Sequence, residues 1–256
     1  MPDVDLPFTR AEYAERLARV RASMAAHGIE LLLVTDPSNM HWLTGYDGWS
    51  FYVHQGVLLA PAGEPVFWGR AMDAAGALRT AWMDEENIVG YPDDYVMSGS
   101  AHAMQHLAWT IRERGWEGLA LATEHENYYY TAKAHAVLAA EFGREPMDAT
   151  GLVNWQRAVK SETELRYMRR AARISESVHQ RILELMEPGR RKNEIAAEIY
   201  HAAIWGADEE GVSFGGDYPA IAPLMPTGLD ATAAHLTWDD TPFARGAGTF
   251  FEISGC

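Results

Sequence analysis

Cysteine is nearly absent. The one thiol is Cys256, the last of 256 residues, so no intrachain disulfide can form and no thiolate-rich metal site can be built. Net positive charge is missing too. The formal charge is −15, and no Lys/Arg run supplies the basic face that a phosphate backbone requires. Long apolar runs are also lacking: no stretch approaches the ~20 residues of a membrane-spanning helix. Met1-Pro2-Asp3-Val4-Asp5 is acidic, without the apolar centre of a secretion signal. These absences argue against nucleic-acid-binding, disulfide-framed and helical membrane classes. The expected location is the cytoplasm.

What the chain has is apolar mass. Apolar residues make up 48% and charged residues 22%, a globular balance that can build a sizeable core. The length fits one large or two modest domains. An acidic surface of this size keeps a protein soluble.

Thr9-Arg10-Ala11-Glu12 has the spacing of a capping box, and Tyr13, Leu17, Val20 and Met24 follow at helical steps to Gly28. Ile29 to Val34 reads as a strand, broken into a turn by Asp36-Pro37-Ser38-Asn39. Val53 to Ala60 and Pro65 to Trp68 read as a hairpin. Helices are expected over His102 to Arg114 and Tyr129 to Phe142, with a strand at Gly118 to Thr123 between them. The first part, 1–154, is therefore expected to be an α/β domain.

From 155 to 256 the pattern changes. Ser161-Glu162-Thr163-Glu164 is a second capping box. Leu165, Met168, Ala172, Val178, Ile182 and Leu185 then recur at three- and four-residue steps, with one looser stretch, until Pro188-Gly189. A further helix is expected from Asn193 to Ile204, followed by a Gly/Pro-rich stretch, Gly211 to Pro226, and a terminal strand, Gly248 to Ile253.

Arg157-Ala158-Val159-Lys160-Ser161-Glu162, Glu164-Leu165 and Met168-Arg169-Arg170-Ala171-Ala172 resemble the opening of the catalytic domain in the pita-bread hydrolases. That family includes methionine aminopeptidase, prolidase, aminopeptidase P and creatinase. Glu187-Pro188-Gly189 and Glu194 to Ile199 match the segment that follows, behind an α/β domain containing Asn39 to Gly45. Where relatives often carry Thr as the cap of the next helix, this chain has Arg191, so the cap falls to Asn193 or a backbone turn. Within the family, the runs Asp36 to Gly56, Gly215 to Ile221 and His235 to Asp240 are similar to the branch that hydrolyses ectoine. The resemblance implies an α/β creatinase-like N-terminal domain followed by an α+β pita-bread catalytic domain. Because the chain stops after an apolar strand, that second domain is expected to be incomplete.

The resemblance also implies a site. Glu252 stands on the last strand where the metal-binding peptidases carry their first Asp ligand, and His235 matches the family's catalytic or ligand histidine. Two readings stay open. Creatinase uses side chains without metals, which favours Glu252 as attacking carboxylate and His235 as proton shuttle. A divalent metal held by Glu252 and His235, as in the Xaa-Pro peptidases, is the alternative.

Ectoine is a cyclic amidine bearing a carboxylate, so its opening needs a carboxylate to attack or activate water and a proton donor. Strand alternation puts Phe250, Glu252 and Ser254 on one face. Asp217 and Tyr218, in a loop whose Gly215-Gly216 lets backbone come close, are candidates to orient the substrate. Trp49, Phe51 and Tyr52 form an aromatic cluster suited to a cationic ring, with core packing as the competing role, and Trp49 and Tyr52 are the binding candidates. No cofactor is expected apart from the open metal question. The implied partner is a second copy of the chain, with the aromatic cluster acting across a dimer. A non-catalytic, dimer-forming fragment is the reading of a different class. Tyr128 to Tyr130 and the histidines near 102 to 106 and 125 carry no ligand spacing and are expected to serve packing or solvated surface.

Overall fold

A computed structural model describes residues 4–218 and 222–256. The chain divides into two compact units, Met1–Val159 and Lys160–Cys256.

The first unit begins with α1 (Arg10–Ala26), where the Thr9 hydroxyl accepts the Glu12 N–H at 3.2 Å. β1 (Leu31–Val34) follows, every residue of it buried. Asp36 does more than make the expected turn. Its carboxylate accepts the Asn39 N–H at 2.9 Å, and with Pro37 at the first helical position it opens a short helix, α2 (Pro37–Thr44). Pro–Ser–Asn punctuation thus marks a helix start, with Gly45 left-handed at its end (φ +79°). The expected hairpin forms as β2 (Gly56–Leu59) and β3 (Val66–Arg70), paired antiparallel.

α3 (Ala71–Thr80) and β4 (Ile88–Tyr91) complete a parallel crossover that sequence patterning missed. α4 (Ala103–Glu113), β5 (Leu121–Thr123), α5 (Ala132–Phe142), the short β6 (Met147–Asp148) and α6 (Leu152–Gln156) finish the unit. The sheet order is β4-β3-β2-β1-β5-β6, antiparallel across β3-β2-β1 and parallel at both ends.

Strand alternation sends residues to two cores. Leu32 and Val34 meet Tyr13, Leu17, Met40 and Ala77 from α1, α2 and α3 on one face. Leu31 and Leu33 meet Met104, Leu107 and Leu138 from α4 and α5 on the other. Helices on both faces explain why the central strands read as continuous apolar runs.

The second unit opens with α7 (Glu162–Leu185), whose capping box at Ser161 and Glu164 is complete. In α8 (Lys192–Trp205), Arg191 stands at the cap and makes no side-chain cap bond. The Arg191 carbonyl accepts the Glu194 N–H at 3.1 Å instead, so a backbone turn closes the end. Ile174, Val178 and Ile182 of α7 pack on Ile195, Ile199 and Ala203 of α8, with Met225 and Phe243 beneath. β7 (Ala207–Glu209) and β8 (Val212–Phe214) form a two-stranded hairpin.

The expected terminal strand Gly248 to Ile253 is corrected to two isolated antiparallel bridges, Leu224 with Glu252 and Thr227 with Thr249. Pro226 lies between those bridges, opposite Phe250. Its carbonyl accepts the Phe250 N–H at 3.2 Å, but proline has no N–H to return, so the ladder breaks there.

Candidate functional site

In the second unit, Glu252 is held by its backbone. Its N–H donates to the Leu224 carbonyl at 3.1 Å and its carbonyl accepts the Leu224 N–H at 3.0 Å. Phe251 and Ile253 turn into the core beside Phe243. Alternation therefore places Phe250 and Glu252 on the opposite face, where Glu252 is half-buried and Phe250 is 55% exposed.

His235 arrives beside the same segment. The Met225 N–H donates to the Leu236 carbonyl at 3.2 Å. Residues 224–226 thus hydrogen-bond to the segment of Glu252 and to the segment of His235. His235 is exposed and sits at φ +63°, a conformation unusual for a residue with a Cβ.

The stretch after it is anchored. Trp238 lies edge-on to Tyr200 at 6.1 Å, and the Lys192 ammonium meets Asp239 at 3.0 Å. Hydrogen bonds from Thr241, side chain and backbone, and from Lys192 draw the Asp239 carboxyl down to about 2.

In the glycine loop, one of the two glycines meets a steric demand inside the unit. A Cβ on Gly216 would collide with the Ala203 carbonyl, whereas Gly215 meets nothing nearer than 4.0 Å. Close approach is thus required against α8, inside the unit. Asp217 and Tyr218 are exposed, and the Asp217 N–H donates to the Cys256 carbonyl at 3.0 Å. Pro219, Ala220 and Ile221, the rest of that motif, lie outside the described residues.

The first unit brings the aromatic cluster together. Trp49 and Phe51 are 4.9 Å apart edge-to-face, Trp49 and Tyr52 are 6.3 Å apart, and Phe51 meets Tyr129 at 5.8 Å. Trp49 and Tyr52 are 63% and 58% exposed, so core packing is not their role. Tyr52 and Phe51 line a cavity of about 350 Å³, together with His54, Tyr91, His102 and Tyr129. Sequence reasoning passed over His54 and assigned His102 and the tyrosines at 128 and 129 to packing or solvated surface. The available signal was that His102 stands immediately before an amphipathic run, in cap position. The His102 and His54 rings lie 4.8 Å apart. Burial, and then the neighbouring His102, lowers the His54 imidazole to about 4. Burial and the Lys133 charge lower His102 as well.

At the carboxyl ends of β1 and β5, Glu124 is buried. It accepts from the Thr35 and Asp36 N–H groups at 2.7 and 2.9 Å and from the Asn39 amide at 2.6 Å. Asn39 in turn accepts from Arg157 at 2.6 Å. Desolvation outweighs these bonds and raises the Glu124 carboxyl above its ordinary range. This network fixes the loop after β1, the start of the long run Asp36 to Gly56.

The sequence pattern of the creatinase/prolidase N-terminal domain matches residues 16–159. The chain belongs to that family. The pattern of metallopeptidase family M24 follows at residues 166–256. An ectoine hydrolase of Halomonas elongata is 57% identical over the whole chain, which spans 65% of that protein. An uncharacterized hydrolase/peptidase, y4tM, of Sinorhizobium fredii is 38% identical over 98% of the chain and 64% of its own length. Among solved structures, the dipeptidase PepE of Mycobacterium ulcerans superposes with a TM-score of 0.73 at 23% identity, covering 97% of this chain and 62% of that one. The fold is thus an α/β creatinase-type domain followed by pita-bread catalytic-domain structure, and the chain spans about two thirds of the length of the relatives it matches.

The metallopeptidase pattern implies divalent metal. Among the described residues, no group of three or more His, Cys, Asp or Glu side chains is gathered to hold an ion. No described helix is long and apolar enough to cross a membrane.

Proposed function

We propose that this protein hydrolyses ectoine, opening its cyclic amidine to N-acetyl-diaminobutyrate. The observation that carries the reading is 57% identity along the entire chain to an ectoine hydrolase. The long runs Asp36 to Gly56 and His235 to Asp240 fall within that match.

Water adds across the amidine: its oxygen becomes bonded to the amidine carbon, one ring C–N bond breaks, and the departing nitrogen takes a proton. Glu252, whose backbone pairs with Leu224, attacks the amidinium carbon or takes the proton from the water that does. His235 carries the proton to the departing nitrogen. Trp49 and Tyr52 offer faces to the cationic ring, and Asp217 and Tyr218 orient the substrate. The protein works as a cytoplasmic homodimer in this account.

A metal-dependent Xaa-Pro peptidase is the second reading, favoured by the M24 match. Incubation of the full-length protein with ectoine and with a Xaa-Pro dipeptide, each with and without chelator, separates them. Ectoine opening that survives chelation supports the first reading. Dipeptide cleavage lost on chelation, with ectoine untouched, supports the second.

A further inference from the structure

We propose that the cavity of the first unit binds a small zwitterion, a carboxylate attached to a flat, delocalised cation, with the carboxylate on the His54–His102 pair. All the residues that line the cavity belong to Met1–Val159. Its volume of about 350 Å³ lies at the small end of the range for ligand sites.

The tautomer of His102 decides the polarity. Its Nδ1 accepts the Met104 N–H at 3.2 Å, which closes the first turn of α4 in a capping box with Gln105. An imidazole that is neutral and accepts at Nδ1 carries its proton at Nε2. His102 is therefore a fixed donor, and metal ligation through Nε2 would require losing the cap. The His54 imidazole, half-buried, has no hydrogen bond within the described residues and can present a second N–H.

No Asp, Glu, Lys or Arg lines the cavity, although the chain as a whole is strongly acidic. Lys133 adds positive potential close to His102. That end of the cavity favours an anion. The lining also includes Phe51, Tyr52, Tyr128 and Tyr129, aromatic rings of the kind that attract a flat cation. The Tyr91 hydroxyl is already committed to the His54 carbonyl at 2.7 Å, which holds the His54 backbone in place.

The class of ligand and the choice of probe rest on the function proposed above. The test is imidazole NMR on the full-length protein carrying Glu252→Gln, titrated with ectoine. The same titration is run with the ring analogue that lacks the carboxylate. His54→Gln assigns one imidazole. His102→Asn assigns the other while keeping a good helix cap. The expected result is a saturable shift of both imidazoles by ectoine, at least ten-fold weaker with the carboxylate-free analogue. In either histidine variant, the remaining imidazole should shift at least ten-fold more weakly. Unmoved imidazoles at millimolar ectoine, or equal shifts from both compounds, overturn the proposal. Hydrolysis by the unsubstituted protein without an imidazole shift overturns this site alone. A shift without hydrolysis leaves the site standing and overturns the functional reading.

Discussion

All four residues of β1 in the first unit are fully buried, and each face of its six-stranded sheet carries its own helices. Among the described residues, the second unit has two α-helices, a hairpin of three-residue strands and three isolated bridges, with Ile204, Trp205, Val212 and Phe250 all more than half exposed. The first is stabilised by two apolar layers. The second depends on a single cluster and on backbone hydrogen bonds between irregular segments. Local pattern therefore determines far more in the first unit. In the second, the candidate catalytic residues are positioned by pairings between segments distant in sequence.

The sharpest way to break this contrast is to cut into each unit. Leu33→Ala, fully buried between sheet and helices, should cost about 2–5 kcal/mol in urea unfolding. Phe250→Ala, largely exposed, should stay within about 0.5 kcal/mol. Equal costs would mean that the outer face of the second unit is packed.

Within the second unit, Gly216→Ala should destabilise by about 1–3 kcal/mol, because its Cβ has no room beside the Ala203 carbonyl. Gly215→Ala, with open space, serves as the near-neutral control in the same thermal melts.

His54 sharpens the comparison through pH. Its folded value, about 4, lies below the unfolded 6.5, so its contribution is fully present above pH 6.5. It is lost as pH falls from 6.5 toward 4, because the unfolded chain takes up a proton that the folded one refuses. His54→Gln should flatten that part of the stability profile.

The smallest effect belongs to the cap of α8. Arg191→Thr supplies the missing side-chain acceptor but removes the exposed Arg191–Glu194 pair at 2.9 Å. The expected net gain is about 0.5–1 kcal/mol, read as a higher melting temperature.

The helical stripe of α1, both capped helices and the hairpin were legible because their signals are local: period, cap residue and turn. The buried Arg16 was not. It lies inside the apolar stripe, with its guanidinium 3.9 Å above the Phe8 ring and donating to the Trp42 carbonyl. A charge so placed is decided by tertiary partners.

α3 and β4 were missed because small residues such as Gly76 and Ala77 give a weak period. Glu252 and His235 could be picked by family likeness, yet their common backbone framework could not, since Leu224, Met225 and Leu236 carry no motif. Conversely, the histidine at position 102 was expected to serve packing or solvated surface, and only the cap bond and the cavity beside it show its orientation.

The central claim is that the carboxylate of Glu252 opens ectoine. The direct measurement is proton NMR of ectoine incubated with the full-length protein and with its Glu252→Gln variant, both checked for native folding. The account predicts conversion to N-acetyl-diaminobutyrate by the unsubstituted protein and at least a ~10³-fold slower reaction in the variant. Near-normal conversion by a folded Glu252→Gln protein would contradict it.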